Sequence, residues 1–217
     1  MLTKSARELF QTGVARLNEF CVVNSIPTPL YMHHHEIPDT PEGRSLWLKL
    51  SRPSRFTKRR LTGFYEPKQH LILVNPKAVA KPAPRPRPRN WSYPGYKTDR
   101  TAVGVVCHEG GHYIQDALRH RCDQSSWDHQ VDEEWRELLR TCRKQVSSYE
   151  PIPDEAFAET MRLFILNPEM LRLGIPQRYD FIRKLGLVPS EMRSYQEVLD
   201  GNPYYIQAAE HWFEHKT

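Results

Sequence analysis

Four cysteines occur in the 217 residues, and no two of them stand as CxxC. Cys21, Cys107, Cys122 and Cys142 are spaced for neither a thiolate zinc knuckle nor a disulfide framework, so free thiols are expected. Long apolar runs are missing as well. With 39% hydrophobic and 26% charged residues, no segment approaches the roughly 20 apolar residues that a membrane-spanning helix needs. The opening MLTKSARELFQTGVARLNEF has no apolar h-region and no small-residue cleavage site, and it reads as an amphipathic helix. No internal repeat is visible. These absences predict a soluble, cytoplasmic protein folded as one domain over residues 1–217.

Positive charge is present but uneven. The net charge of +5 and the pI near 9.0 come largely from SRPSRFTKRR and KPAPRPRPRNW, which makes any polyanion contact local. Ser5 and Glu8 form a capping box ahead of Leu9, Phe10, Val14, Leu17 and Phe20, predicting a helix over 4–22. LYMHH, SLWLKL, TGFYE and HLILVN have strand character, with a turn at PKQ, and predict a small, mostly antiparallel sheet within residues 1–75. Residues 76–97 read as a proline-rich basic surface loop. Helices are predicted over 99–120, 128–147 and 154–166, within a catalytic part spanning 98–166. Shorter ones near 168–184, 193–199 and 202–214 make residues 167–217 a helical extension.

Inside the apolar stretch VGVVCHEGGHYIQDAL stand two imidazoles, a carboxylate and two adjacent glycines. His108-Glu109-Gly110-Gly111-His112 is an HExxH, and on a helix its histidines fall about 40° apart around the axis and about 6 Å along it. Both can reach one cation. Zinc takes neutral imidazole nitrogens, a third protein ligand and a water, and the adjacent Glu109 is placed to accept that water's proton. A buried His-Glu-His network without metal is the plain alternative. Each glycine costs roughly 1 kcal/mol in a helix interior, so the pair implies that another backbone or a substrate comes close.

The third ligand has two candidates. The metzincin continuation is excluded, because Gln115 and Leu118 occupy its glycine and histidine positions. His129 in SSWDHQ suits the pattern of SprT-like proteases of DNA–protein crosslinks. Glu155 and Glu159 in PDEAFAETMRLF are again i and i+4, so one carboxylate can bind metal while the other braces a ligand histidine. An exposed helix face carrying Glu155, Glu159 and Arg162 is the bland reading.

HEGGH, a tyrosine (Tyr149) ahead of the second motif, and E-x-F-A-E together resemble the catalytic domain of anthrax lethal factor and the related Pro-Pro endopeptidases. The order GFYEPKQHLILVN, HExxH, Glu-helix is also similar to the ImmA/IrrE-like metallopeptidases. The resemblance covers residues 62–166. It implies a zincin-like α+β fold of gluzincin type, with Zn²⁺ on His108, His112 and Glu155, Glu159 behind a ligand histidine, and Tyr149 at the oxyanion.

The expected activity is that of a zinc endopeptidase acting on a protein or peptide. A metal-activated water attacks the amide, Glu109 is the general base, and HLILVN is the sheet edge along which substrate lies. Two other functions are weighed. One is a DNA-associated protease of the SprT kind, with weak nucleic-acid contact through the basic loop and its Trp91, Tyr93 and Tyr96. The other is a non-enzymatic binding scaffold. His33-His34-His35 is read as solvated, since consecutive strand residues face opposite sides, and Cys107 as core packing.

Overall fold

A computed structural model describes residues 4–33, 36–51, 61–75, 79, 99–121 and 124–190, with side chains at 4–6, 50–51, 121 and 124–129 excepted. The fold is α+β, with seven α-helices and one three-stranded mixed sheet among the described residues. Helix α1 (Lys4–Val23) buries Phe10, Leu17, Phe20 and Cys21 on one face, as its apolar spacing requires. That face packs on α3 (Ala102–Arg121), the central helix. Gly13 permits the approach, since a Cβ there would stand 3.1 Å from the Val103 backbone.

Strand β1 (Leu30–His33) is followed by α2 (Pro41–Ser51), then β2 (Gly63–Glu66), a 3₁₀ turn at Pro67–Gln69, and β3 (Leu71–Val74). The segment SLWLKL, expected as a strand, lies within α2. Its start signals outweigh the alternating leucines: Thr40 Oγ1 accepts from Gly43 N at 3.1 Å, Pro41 opens the helix and Glu42 sits in its first turn.

The strand order is β1-β3-β2, with β2 antiparallel and β1 parallel to β3. The sheet is therefore mixed and not mostly antiparallel. The chain between β1 and β3 passes through α2 and β2, long enough to bring β3 back in the direction of β1. All four residues of β3 are buried, as a central strand covered on both faces demands. Ile72, Val74 and Tyr65 join the core built on α3, while Leu71, Leu73 and Phe64 meet Leu46 of α2 on the other face. Lys49 of α2 pairs with the buried Glu66.

Beyond α3 come α4 (Gln124–Thr141), α5 (Pro153–Leu166), α6 (Pro168–Gly174) and α7 (Pro176–Lys184). The helix expected over 128–147 ends at Thr141, and the one expected over 168–184 is divided at Pro176, which opens α7 in a position where its missing N–H costs nothing. Asn167 caps α6 by accepting from Met170 N at 3.1 Å. No helix among the described residues is long and apolar enough to cross a membrane. The helices expected near 193–199 and 202–214, His34, His35 and nearly all of the proline-rich loop, including Trp91, Tyr93 and Tyr96, lie outside the described residues.

Candidate metal centre

Helix α3 carries His108 and His112 on the side facing the start of α5, with Glu109 turned toward β2. Helix α5 opens on Pro153, with Asp154 and Glu155 in its first turn, where the positive end of the helix dipole favours carboxylates. Trp135 of α4 anchors that turn by donating from Nε1 to Pro153 O at 2.9 Å. The two helices approach through Gly111, where a Cβ would stand 2.7 Å from Ala158 Cα and 2.9 Å from Ala158 O. Gly110 instead faces Leu17 of α1. The glycine pair thus admits another backbone on one side and a core leucine on the other.

Across this contact the ligand atoms converge. His108 Nε2 lies 3.0 Å and His112 Nε2 3.6 Å from Glu155 Oε2. Donors about 2.05 Å from a tetrahedral ion stand about 3.3 Å apart, so the two spacings bracket the value a bound zinc requires. Among the described residues His108, His112 and Glu155 form a group that could hold a metal ion, with one ligand atom from each within 4.8 Å of the others. The His129 side chain is outside the described residues, although its backbone belongs to α4.

Behind the ligands, His108 Nδ1 stands 2.8 Å from Glu159 Oε1, which leaves Nε2 to face Glu155. Arg162 binds Glu159 through two hydrogen bonds of 3.0 Å, from Nε to Oε1 and from NH2 to Oε2. Arg162 is 0% exposed, so the reading of Glu155, Glu159 and Arg162 as a solvated helix face is wrong. Of the carboxylates grouped around His108, Glu159 is paired with a guanidinium, while Glu155 and Glu109 face the histidines. With neutral imidazoles the Glu155 carboxylate is an excess negative charge at these atoms, which a bound cation would offset.

The protonation of the metal-free group reflects the same excess. Burial alone would lower the His108 pKa, but its hydrogen bonds to Glu155 and Glu159 outweigh this and raise it to about 10. Burial opposes ionisation of Glu155 too, yet the hydrogen bonds with His108 and His112 hold it down at about 2. Glu159 is also lowered, the pull of Arg162 and His108 overcoming burial. Glu109 moves the other way, because burial raises it more than the two histidines lower it.

The ligand group opens on a cleft of about 330 Å³. One wall is β2, with Gly63, Phe64 and Tyr65; the floor is His108, Glu109, His112 and Asp116; Tyr149 and Glu155 close the far side. Asn75 N donates to Thr62 O at 2.8 Å, which fixes the alternation of the β2–β3 ladder. Phe64 and Glu66 consequently bond to β3, while Gly63 and Tyr65 turn their backbone groups away from it, the Tyr65 N–H donating to the Glu109 carboxylate. HLILVN, expected as the edge strand, is the central one, and β2 is the edge beside the cleft. Strand order depends on distant pairings that local pattern does not encode. Gly63 lets Glu109 sit beneath that edge, since a Cβ there would fall 2.9 Å from Glu109 Oε1.

Tyr149 stands before α5 with its ring 5.5 Å from that of His108. Cys107 points into the core, its thiol 3.9 Å from Gly13 O and its pKa pushed up by burial. Cys21, Cys107 and Cys142 are free thiols. The His33 ring lies 3.9 Å from that of Phe10, so this histidine is half-buried against α1. Sequence reasoning missed Gly63 and the burial of Arg162; a charged residue among the apolar neighbours of MRLFIL at 161–166 was the available signal for the second. Comparison with family models, with curated proteins and with solved structures finds no match to the chain.

Proposed function

We propose that the chain is a zinc-dependent endopeptidase of the zincin, gluzincin-type class, with His108, His112 and Glu155 as metal ligands and Glu109 as general base. The observation that carries this reading is the convergence of two imidazole nitrogens and a carboxylate oxygen beside a buried glutamate, in a cleft walled by a sheet edge. Nitrogen and oxygen donors in this ratio suit zinc, and three protein ligands leave a coordination position open. Bound there, zinc supplies an acidified water and polarises a carbonyl oxygen.

The chain's own residues do the rest. The edge of β2 takes an extended peptide by backbone pairing at Gly63 and at the Tyr65 carbonyl, which makes modest demands on substrate sequence. Glu109 accepts the proton of the attacking water on its carboxylate and hands it to the departing amine. Glu159 keeps the His108 proton on Nδ1, so that the Nε2 lone pair stays free to bind a metal. Tyr149 hydrogen-bonds the carbonyl oxygen as charge develops, a contribution of about 2–4 kcal/mol in the transition state.

Glu109→Gln tests this assignment on a peptide library. The variant is expected to retain zinc and lose cleavage; cleavage at the wild-type rate removes Glu109 as base, and a zinc-loaded wild type that cleaves nothing removes the endopeptidase reading.

A further inference from the structure

The arginine behind Glu159 is the most deeply buried charge near the ligands. Its guanidinium is 0% exposed in a helix whose neighbouring side chains, Met161, Leu163, Phe164 and Ile165, are apolar and buried. Replacing a buried ion pair by apolar residues is often neutral or favourable, so stability alone is a weak reason for such a residue. Its geometry offers another reason. Both oxygens of Glu159 are engaged by the planar fork, at 3.0 Å each, and Oε1 is the atom that stands 2.8 Å from His108 Nδ1.

A carboxylate held only by His108 can rotate about its last bond. One clamped on both oxygens cannot, and the direction of the Nδ1 hydrogen bond sets the plane of the imidazole. Asp99, buried at 6% ahead of α3, adds to the field that keeps Arg162 charged. It accepts from Thr101 N and Oγ1 at 2.9 and 2.6 Å, so its position is fixed in turn.

We propose that Arg162 is a positioning residue for the metal, acting through Glu159 to aim His108 Nε2 at the ligand site. This rests on the reading of His108, His112 and Glu155 as zinc ligands. A lysine is a point charge without the fork, so it keeps the charge but not the clamp.

The test is zinc affinity of the full chain, measured by competition with a chromophoric chelator, alongside urea denaturation of each metal-free protein. Arg162→Lys, Arg162→Met and Glu159→Gln are each expected to weaken zinc binding by about 10- to 100-fold. Glu159→Gln combined with Arg162→Met is expected to lose no more than the larger single change, because the arginine works through the glutamate. Wild-type affinity in folded Arg162→Lys overturns the proposal, as do losses that multiply in the double variant. Should Arg162→Met not fold, the lysine variant decides alone. A wild type that binds no zinc overturns the ligand assignment itself, and the role of Arg162 with it.

Discussion

Gly111→Ala sets two effects of opposite sign against each other. In an isolated helix the change is favourable by about 1 kcal/mol, since alanine is the better helix former. In this protein the new Cβ would fall 2.7 Å from Ala158 Cα, 2.9 Å from Ala158 O and 3.1 Å from Met161 Cβ. Carbon atoms pack at about 3.5 Å or more, so α5 must move away from α3 by roughly 0.8 Å. Two of the three obstacles are backbone atoms of α5, which no rotamer change can clear. Overpacking of this kind costs about 1–3 kcal/mol, and the upper end applies where backbone must shift, leaving a net loss of about 2 kcal/mol in urea denaturation.

The effect on metal binding is larger in proportion. His108 and His112 lie on α3 and Glu155 on α5, so the displacement opens the ligand group directly. Metal–ligand distances tolerate about 0.2 Å, and zinc affinity is expected to fall more than about tenfold. Gly110→Ala is the internal comparison. Its Cβ meets Leu17 Cδ2 at 2.5 Å and Cδ1 at 2.8 Å, so the obstacle is a side chain on α1 and not the backbone of the helix that bears Glu155. Zinc affinity in that variant is expected to stay near wild type. A Gly111→Ala protein that gains stability as helix propensity alone predicts, with zinc affinity intact, refutes the reasoning.

Other perturbations separate the roles of the cleft. Glu155→Gln is expected to release zinc while His129→Ala retains it, as read by elemental analysis after desalting. Gly63→Ala drives a Cβ against Val105 Cγ1 and Glu109 Oε1, so turnover is expected to fall with zinc content unchanged. Tyr149→Phe is expected to lower kcat by about 100-fold without loss of metal, the scale of one oxyanion donor, in steady-state cleavage of a peptide substrate. Chelation is expected to lower Tm, because zinc held at 1,000 times its Kd adds about 4 kcal/mol to stability.

The parts legible in the sequence were those with local, periodic signals. Leu9, Phe10, Leu17 and Phe20 share one face in α1, and His108 and His112 share one in α3, because a helix of 3.6 residues per turn puts them there. Glu155 and Glu159 were readable as a second i, i+4 pair, and the same periodicity carries both toward His108. Strand order was not legible. LILV reads the same whether it is an edge or a centre, and its place depends on β1, which lies on the far side of α2 in the chain. SLWLKL alternates like a strand, but Thr40 and Pro41 start a helix before it. The burial of Arg162 was not legible, because its partner, Glu159, could be placed in the interior only once α5 was known to pack on α3.

Anomalous diffraction at the zinc edge from crystals of zinc-loaded protein is the most direct measurement of the metal centre. One peak is expected between α3 and α5, about 2.0–2.2 Å from His108 Nε2, His112 Nε2 and Glu155 Oε2. A map with no peak there, or with the ion held by His129 in place of Glu155, contradicts the ligand set.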